Sequence, residues 1–324
     1  MDVKFYRGSM TYGMIEHTAQ PSTRPGTVLT IGGDLPVRRI GYGAMRLTGG
    51  PGPVPATPDQ APVWWPPADR QAAITLLRRA VELGVDLIDT ADSYALGANE
   101  ELIAEALHPY PDHLVITTKI GVARPSPSEW VPLGRPEYLR QQAELSLRRL
   151  RVERIDLLQL HRLDPQVPLE DQLGSLRRLQ DEGKVRHIGL SEVTLEQLRA
   201  AQAITPIASV ENMYNLATRH HDDVIDYAAA HGIAFLPFFP IAMGAHAAPG
   251  GAVADVALEA GATPAQTALA WLLHRSPAIV PIPGTASVAH LEENLAALTV
   301  ELSAEQIGRL SALGAEPSDR PEAP

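Results

Sequence analysis

The most constraining feature of this sequence is an alternation. Short apolar runs recur at Val85–Ile88, Leu114–Thr118, Asp156–Leu160, His187–Leu190, Ala208–Val210, Ala234–Pro237 and Ile279–Ile282, with a weaker one at Arg38–Gly41. Between and after them lie amphipathic stretches: Gln71–Leu83, Glu101–Leu107, Pro136–Leu150, Glu170–Glu182, Leu195–Ala203, Asp222–His231, Pro264–Leu273 and Val288–Leu298. Gly84, Gly183 and Gly232 stand where helices should stop. Strand followed by helix, repeated, predicts a parallel sheet with its crossovers packed outside. About eight such units favour a closed (β/α)8 TIM barrel, an α/β fold, over an open doubly wound sheet. The open sheet also lacks its dinucleotide signature, because Gly41-Tyr42-Gly43 runs on to Arg46 where a third glycine is needed. No Walker A sequence occurs either. The 29 prolines read as the punctuation of extended, Pro-rich loops, above all Gly49–Pro67.

The 324 residues suit one barrel with extensions. The expected division is an irregular extension at 1–26, a single catalytic barrel at 27–314 and a disordered Pro-rich, acidic tail at 315–324. The first residues show no basic segment leading into an apolar run, so a cytoplasmic location is expected. No run of about 18 apolar residues points to a membrane span. The absence of cysteine excludes disulfides, iron–sulfur clusters, thiolate zinc sites and a thiol nucleophile. A net charge of −11 argues against nucleic acid as a partner, since phosphate backbones need a basic surface. It leaves room for a local site for a small phosphorylated ligand.

Polar residues collect where the predicted strands end. Asp89, Lys119, His161, the pair Ser191 and Glu192, and Glu211 follow five of the apolar runs. A lone histidine after a strand is commonly structural, and a lone lysine there is commonly solvated. The set is different, because barrel closure points all of these positions into one mouth, where such barrels carry their chemistry.

At these positions the sequence resembles the aldo-keto reductases. The blocks that carry the likeness are Gly84-Val-Asp-Leu-Ile-Asp89-Thr-Ala-Asp-Ser-Tyr94 with Asn99-Glu100, Thr117-Thr118-Lys119, Asp156-Leu-Leu-Gln-Leu-His161, Val185-Arg-His-Ile-Gly-Leu-Ser191, and Ile282-Pro-Gly-Thr285 through Glu293-Asn294. They occur in the family's order from about Thr27 to Leu313. Phe238-Phe239-Pro240 and Ser287-Val-Ala-His290 resemble bacterial members of the pyridoxal reductase type. The resemblance implies NADP(H)-dependent reduction of an aldehyde or ketone, a small-molecule carbonyl substrate, with a catalytic tetrad at Asp89, Tyr94, Lys119 and His161. A free phenol ionises near pH ~10, too high for easy proton exchange at neutrality. An ammonium beside it favours phenolate, so Lys119 is expected to lower the Tyr94 pKa, with Asp89 orienting Lys119. Tyr94 would donate the proton in reduction, and His161 would orient the carbonyl oxygen.

The resemblance also implies the cofactor contacts. Ser191, Glu192 and Glu211 match residues at the nicotinamide carboxamide, and Phe238 matches the ring that stacks on the nicotinamide. Gly43, Met45 and Pro240 match residues of the same pocket. Gly284, Thr285 and Ser287 lead into a helix whose N-terminus favours phosphate, and His290, Glu293 and Asn294 would face the adenosine. Two departures stand out. Many members carry amides where this chain has Glu192 and Glu211, and a carboxylate only accepts hydrogen bonds; at least one of the two should be protonated or turned away. Ala286 and His290 occupy a loop that often carries Arg or Lys in members selecting the 2′-phosphate, so NADP(H) is preferred but NAD(H) is possible. Trp64, Trp65 and Arg162 are the candidate substrate contacts. The cluster His220-His221-Asp222-Asp223 opens a helix, where Asp caps favourably, and no metal is expected. No G-x-S-x-G elbow supports hydrolase chemistry. The alternative is a non-catalytic nicotinamide-binding regulatory or scaffold subunit on the same barrel.

Overall fold

A computed structural model describes residues 26–49, 63–242 and 252–313. The expected N-terminal extension up to residue 25, residues 50–62 of the Pro-rich loop and the tail at 315–324 lie outside the described residues.

The described chain begins with an antiparallel hairpin, β1 (Val28–Ile31) and β2 (Leu35–Arg38), paired from Val28↔Arg38 to Ile31↔Leu35. Its turn passes through Gly32 and Gly33, both at positive φ, +61° and +86°. Two glycines between apolar residues are a hairpin signal. They explain why the run expected at Arg38–Gly41 is divided: Arg38 ends this hairpin, and the first barrel strand is β3 (Tyr42–Gly43). The barrel continues with β4 (Leu87–Asp89) and β5 (Val115–Ile120). A small hairpin of β6 (Val122–Ala123) and β7 (Val131–Pro132) follows, then β8 (Ile155–Leu160), β9 (Val185–Ser191), β10 (Ser209–Glu211) and β11 (Ala234–Phe235). The seven barrel strands are hydrogen-bonded in the order β11-β10-β9-β8-β5-β4-β3, every pair parallel.

Residues 279–283 supply the eighth stave. Ile279 bridges Phe235 in parallel, and the carbonyls of Pro281 and Pro283 accept the N–H groups of Gly41 (3.0 Å) and Gly43 (3.4 Å). The sheet therefore closes on itself as a (β/α)8 barrel. Prolines at 281 and 283 have no N–H to give a ladder, which is why this stave carries bridges and single bonds instead of a regular strand.

The helices are α1 (Arg70–Glu82), α2 (Ala98–Leu107), α3 (Pro136–Leu150), α4 (Leu169–Asp181), α5 (Leu195–Gln202), α6 (Asp222–His231), α7 (Ala252–Ala260), α8 (Pro264–Arg275), α9 (Val288–Ala296) and α10 (Ala304–Ala312). Thr194 with Gln197, Thr263 with Gln266 and Ser303 with Gln306 form reciprocal capping boxes that start α5, α8 and α10. Leu173, Leu176 and Leu179 of α4 pack against the outward-facing Leu158, Leu160, Ile188 and Leu190. At the opposite end from the strand tips, Ile31, Leu35 and Val37 of the hairpin pack on Leu87, Val115 and Leu157. Buried Arg39 fixes this floor by donating to the carbonyls of Ile279 (3.0 Å), Leu273 (3.0 Å) and Ser276 (2.5 Å). The floor is sealed, so access to the barrel axis is from the carboxyl ends of the strands. Among the described residues no helix is long and apolar enough to cross a membrane.

Candidate active site

Side chains alternate along a strand, so Thr117 and Lys119 of β5 share one face, as do Gln159 and His161 at the end of β8. Lys119 is 1% exposed. Its Nζ donates to both oxygens of Asp89 at the tip of β4 (2.7 and 2.6 Å) and to the carbonyl of Thr90 (3.1 Å). It also lies 3.0 Å from Glu211 Oε1, at the tip of β10, and 3.5 Å from the Tyr94 hydroxyl.

The loop after β4 folds back sharply to deliver Tyr94. Ala95 and Leu96 hold φ of +49° and +53°, a conformation that costs free energy in residues with a Cβ. The Ala95 N–H is tied to the Val63 carbonyl (2.9 Å). Behind the loop, Glu100 of α2 accepts from Thr118 Oγ1 (2.6 Å) and from Arg149 Nε (2.5 Å), and Asn99 Oδ1 accepts from Thr90 Oγ1 (2.6 Å). Asn99-Glu100 thus brace the Tyr94 loop from outside the mouth. Both Asp92 oxygens are buried without a hydrogen-bond partner, and burial pushes that carboxyl well above its ordinary pKa.

His161 meets Tyr94 and Trp130 edge-on, each with ring centroids 6.0 Å apart, and its Nδ1 lies 3.3 Å from Ser93 Oγ. Burial, then the positive charges of Arg162, Lys119 and Arg124, hold its pKa well below the ordinary imidazole value. It is a neutral ring at neutral pH. Burial acts to lower the Lys119 pKa, but Asp89 and Glu211 outweigh it and keep the ammonium charged. For Asp89, burial and the charge of Glu211 push upward against the pull of Lys119. Tyr94 departs from the sequence expectation. Lys119 pulls its pKa down as anticipated, but burial, with Asp89 and Glu211 adding to it, leaves the phenol above its ordinary value.

The two unusual carboxylates diverge. Glu211 Oε2 accepts from Gln159 Nε2 (2.6 Å) while Oε1 faces Lys119. Glu192 sits at φ +54° and accepts the Met213 N–H (2.7 Å). Ser191 is buried and its Oγ accepts from Arg162 (3.2 Å), whose same nitrogen also reaches the His161 carbonyl (2.6 Å). Phe238 is half-buried and meets Phe239 edge-on, with Pro240 buried beside them. Gly43 and Gly284 face each other across the closing seam, where a Cβ on Gly284 would stand 2.8 Å from the Gly43 carbonyl. The Thr285 carbonyl accepts the Tyr42 hydroxyl (2.6 Å), and Ser287 caps α9 at the His290 N–H (3.4 Å). Along α9, His290 is exposed, Glu293 half-buried and Asn294 buried.

On the substrate side, Met45 packs with Val63, Tyr94 and Trp130. Trp64 is half-buried, with the Arg124 guanidinium 5.6 Å from its ring, and Trp65 is exposed. Sequence reasoning missed Trp130 and Arg124. The β6–β7 hairpin brings Trp130 to His161 and holds Arg124 3.6 Å from its ring. A tryptophan just before Val131-Pro132, in a long strand-to-helix connection, was the available signal. It also missed Gln159, a polar residue inside an apolar strand and in phase with His161. At His220-His221 the rings meet at a tilt, with centroids 4.2 Å apart and planes at 54°, while Asp222 binds Arg275 (2.9 Å) and accepts from the Tyr214 hydroxyl (2.5 Å).

A closed (β/α)8 barrel with a buried Asp–Lys–Tyr–His constellation at its mouth defines a class of barrel oxidoreductases. The Aldo/keto reductase family profile matches residues 39–315, and the chain belongs to that family. It is 44% identical to pyridoxine 4-dehydrogenase of Escherichia coli strain K12 over 290 residues, 88% of this chain and 97% of that one. It is 43% identical over 297 residues to an uncharacterized oxidoreductase of Schizosaccharomyces pombe, covering 92% of each. An aldo/keto reductase from Klebsiella pneumoniae, solved with NADP and acetate, superposes with a TM-score of 0.73 at 26% identity, over 91% of this chain and 98% of that one.

Proposed function

We propose that this protein is an NADP(H)-dependent carbonyl reductase that converts an aldehyde or ketone to the alcohol, with Tyr94 as proton donor. The observation that carries this reading is the convergence of Asp89, Tyr94, Lys119 and His161 at one strand-end mouth, with the Tyr94 hydroxyl 3.5 Å from a buried ammonium.

The residues present fit a dinucleotide. Of the first N–H groups of α9, Ser287 caps that of His290, leaving neighbouring donors for a phosphate. Gly284 leaves the approach to that turn bare of side chain. Ser191 Oγ and the Glu192 carboxylate stand at the strand tips for the carboxamide, and Phe238 offers a ring face. Gly43, Met45, Pro240, Thr285, Glu293 and Asn294 complete the proposed pocket. NADP(H) is the preferred form on the precedent of the Klebsiella enzyme. When bound, the reduced nicotinamide supplies the electron pair and hydrogen that reach the carbonyl carbon.

The chain's own residues do the rest. The neutral His161 and the Tyr94 hydroxyl converge where the carbonyl oxygen would sit and polarise it. As negative charge develops there, the Tyr94 O–H donates its proton, and the Lys119 ammonium stabilises the phenolate left behind. The raised phenol pKa keeps Tyr94 protonated, and so competent as an acid, across the neutral range. Trp130, edge-on to His161, offers a flat apolar surface at the mouth, which suits an aromatic or heteroaromatic aldehyde.

The test is NADPH oxidation over a panel of aldehydes and ketones, with NADH in parallel and Tyr94→Phe beside the wild type. Turnover should fall by ~10²–10⁴ in the variant, with NADPH affinity unchanged. Wild-type kcat in Tyr94→Phe would refute the assignment. NADPH binding without turnover of any carbonyl would instead support a regulatory subunit.

A further inference from the structure

Among the carboxylates around Lys119, Glu211 has no part in the mechanism above, yet it is held with care. Its Oε2 is fixed by Gln159 Nε2 (2.6 Å). Gln159 is fixed in turn, with Nε2 donating to Thr117 Oγ1 (3.2 Å) and Oε1 accepting from Ser209 Oγ (3.1 Å). Gln159 and Ser209 are both fully buried. The result is a chain of hydrogen bonds from Ser209 through Gln159 to Glu211, ending 3.0 Å from Lys119 Nζ. An ammonium has three protons. Here they are shared among Asp89, Glu211 and the Thr90 carbonyl, with Tyr94 at the longest distance.

We propose that Glu211 is a positioning residue for Lys119, a second counter-ion that sets the pH at which Tyr94 gives up its proton, and not a nicotinamide ligand. This rests on the reductase reading of the site. With both carboxylates ionised, the Asp89–Lys119–Glu211 group carries a net charge of −1 in a place sealed from water. Forming phenolate beside it adds like charge to like charge. Neutralising Glu211 leaves a balanced Asp89–Lys119 pair, and phenolate forms more easily. The other charged or titratable groups bearing on this cluster are Asp92 after β4 and His161 after β8, which feel the Lys119 charge, Arg162 beside His161, and Arg124 from the β6–β7 hairpin, which acts on Tyr94. A substitution at 211 leaves all of them in place, so a comparison of variants isolates the one charge.

The experiment is an absorbance titration of tyrosinate in the cofactor-free protein, with Tyr94 isolated by subtracting the matching Tyr94→Phe protein. It is run for the wild type, Glu211→Gln and Glu211→Asp. Removing the charge should move the Tyr94 midpoint down by about one pH unit or more, and Glu211→Asp, which keeps the charge, should stay near the wild type. The alkaline limb of kcat for reduction should move with the midpoint, while the NADPH Kd measured by fluorescence quenching stays within about threefold, since a group that acts on Lys119 changes a proton equilibrium and not cofactor contacts. If Glu211→Gln does not fold, Glu211→Met fills the same space without charge and carries the same expectation. An unmoved Tyr94 midpoint overturns the proposal, whether or not the NADPH Kd changes. The titration needs no substrate. A shifted midpoint in a protein that reduces nothing sinks the reductase reading alone, and an active enzyme with an unmoved midpoint sinks this one alone.

Discussion

His161 shows what burial does to a single titratable residue. Its imidazole is driven well below the ordinary value of 6.5, first by burial and then by Arg162, Lys119 and Arg124. The unfolded chain has no such constraint, so below about pH 6.5 it binds a proton that the folded protein refuses. Stability is therefore full above that pH and is lost as pH falls below it, by up to about 1.4 kcal/mol per pH unit from this one group. Urea unfolding of the wild type and His161→Gln, compared from pH 7 down to pH 5, should show the shallower loss in the variant; equal slopes would mean that His161 titrates normally in the fold. The position of His161 was legible in the sequence because it ends an apolar strand, as Asp89 and Lys119 do. The partner of Glu211 was not. Which groups meet across a barrel depends on the register between β5, β8 and β10, and a one-residue slip would turn every side chain to the other face.

At the scale of elements, helices were easier to read than the pieces that shape the ends of the barrel. α3 and α6 have the bounds their sequence pattern predicts, Pro136–Leu150 and Asp222–His231. Both are long enough for a helical period to show, and each begins or ends on a recognisable residue, Pro136 at the first turn of one and Gly232 in the left-handed cap of the other. α10 went unread although its Ser303–Gln306 capping box is visible in the sequence. The β6–β7 hairpin is two residues per strand, below the length at which alternation means anything. Yet this hairpin carries Trp130 into the mouth. Arg124 braces it from beneath, donating to the carbonyls of Glu129 (2.9 Å) and Pro127 (2.8 Å). Trp130→Ala should leave that brace intact while removing the flat wall beside His161. Covering a substrate ring by such a surface is worth roughly 1.5–3 kcal/mol. The KM for aryl aldehydes should rise by about tenfold or more, with a much smaller change for short aliphatic aldehydes. Steady-state kinetics on paired substrates reads this directly, and an equal change for both kinds would remove Trp130 from substrate recognition.

For the whole molecule, the decisive step is closure of the barrel, because the mouth and the turn proposed to hold the cofactor phosphate stand on the two staves that meet at the closing seam. Along this seam the backbones approach too closely for side chains. A Cβ on Gly43 would lie 2.7 Å from the Ile282 carbonyl oxygen, and that obstacle is backbone, with no rotamer to move aside. Gly43→Ala must therefore push the staves apart. Overpacking of this kind costs about 1–3 kcal/mol, and the displacement falls on Gly284, Thr285 and the start of α9. Loss of stability and weaker NADPH binding should appear together. Gly174 makes the matching control, since it lies inside α4 and an added Cβ would meet only the end of the flexible Arg178 side chain, at 3.6 Å. Gly174→Ala should stabilise the protein by roughly 0.5–1 kcal/mol through better helix propensity, with cofactor affinity unchanged. Denaturant unfolding and NADPH fluorescence titration on both variants separate the two effects. If Gly43→Ala kept wild-type stability and wild-type NADPH affinity, the seam would not be the rigid base on which the cofactor turn is built.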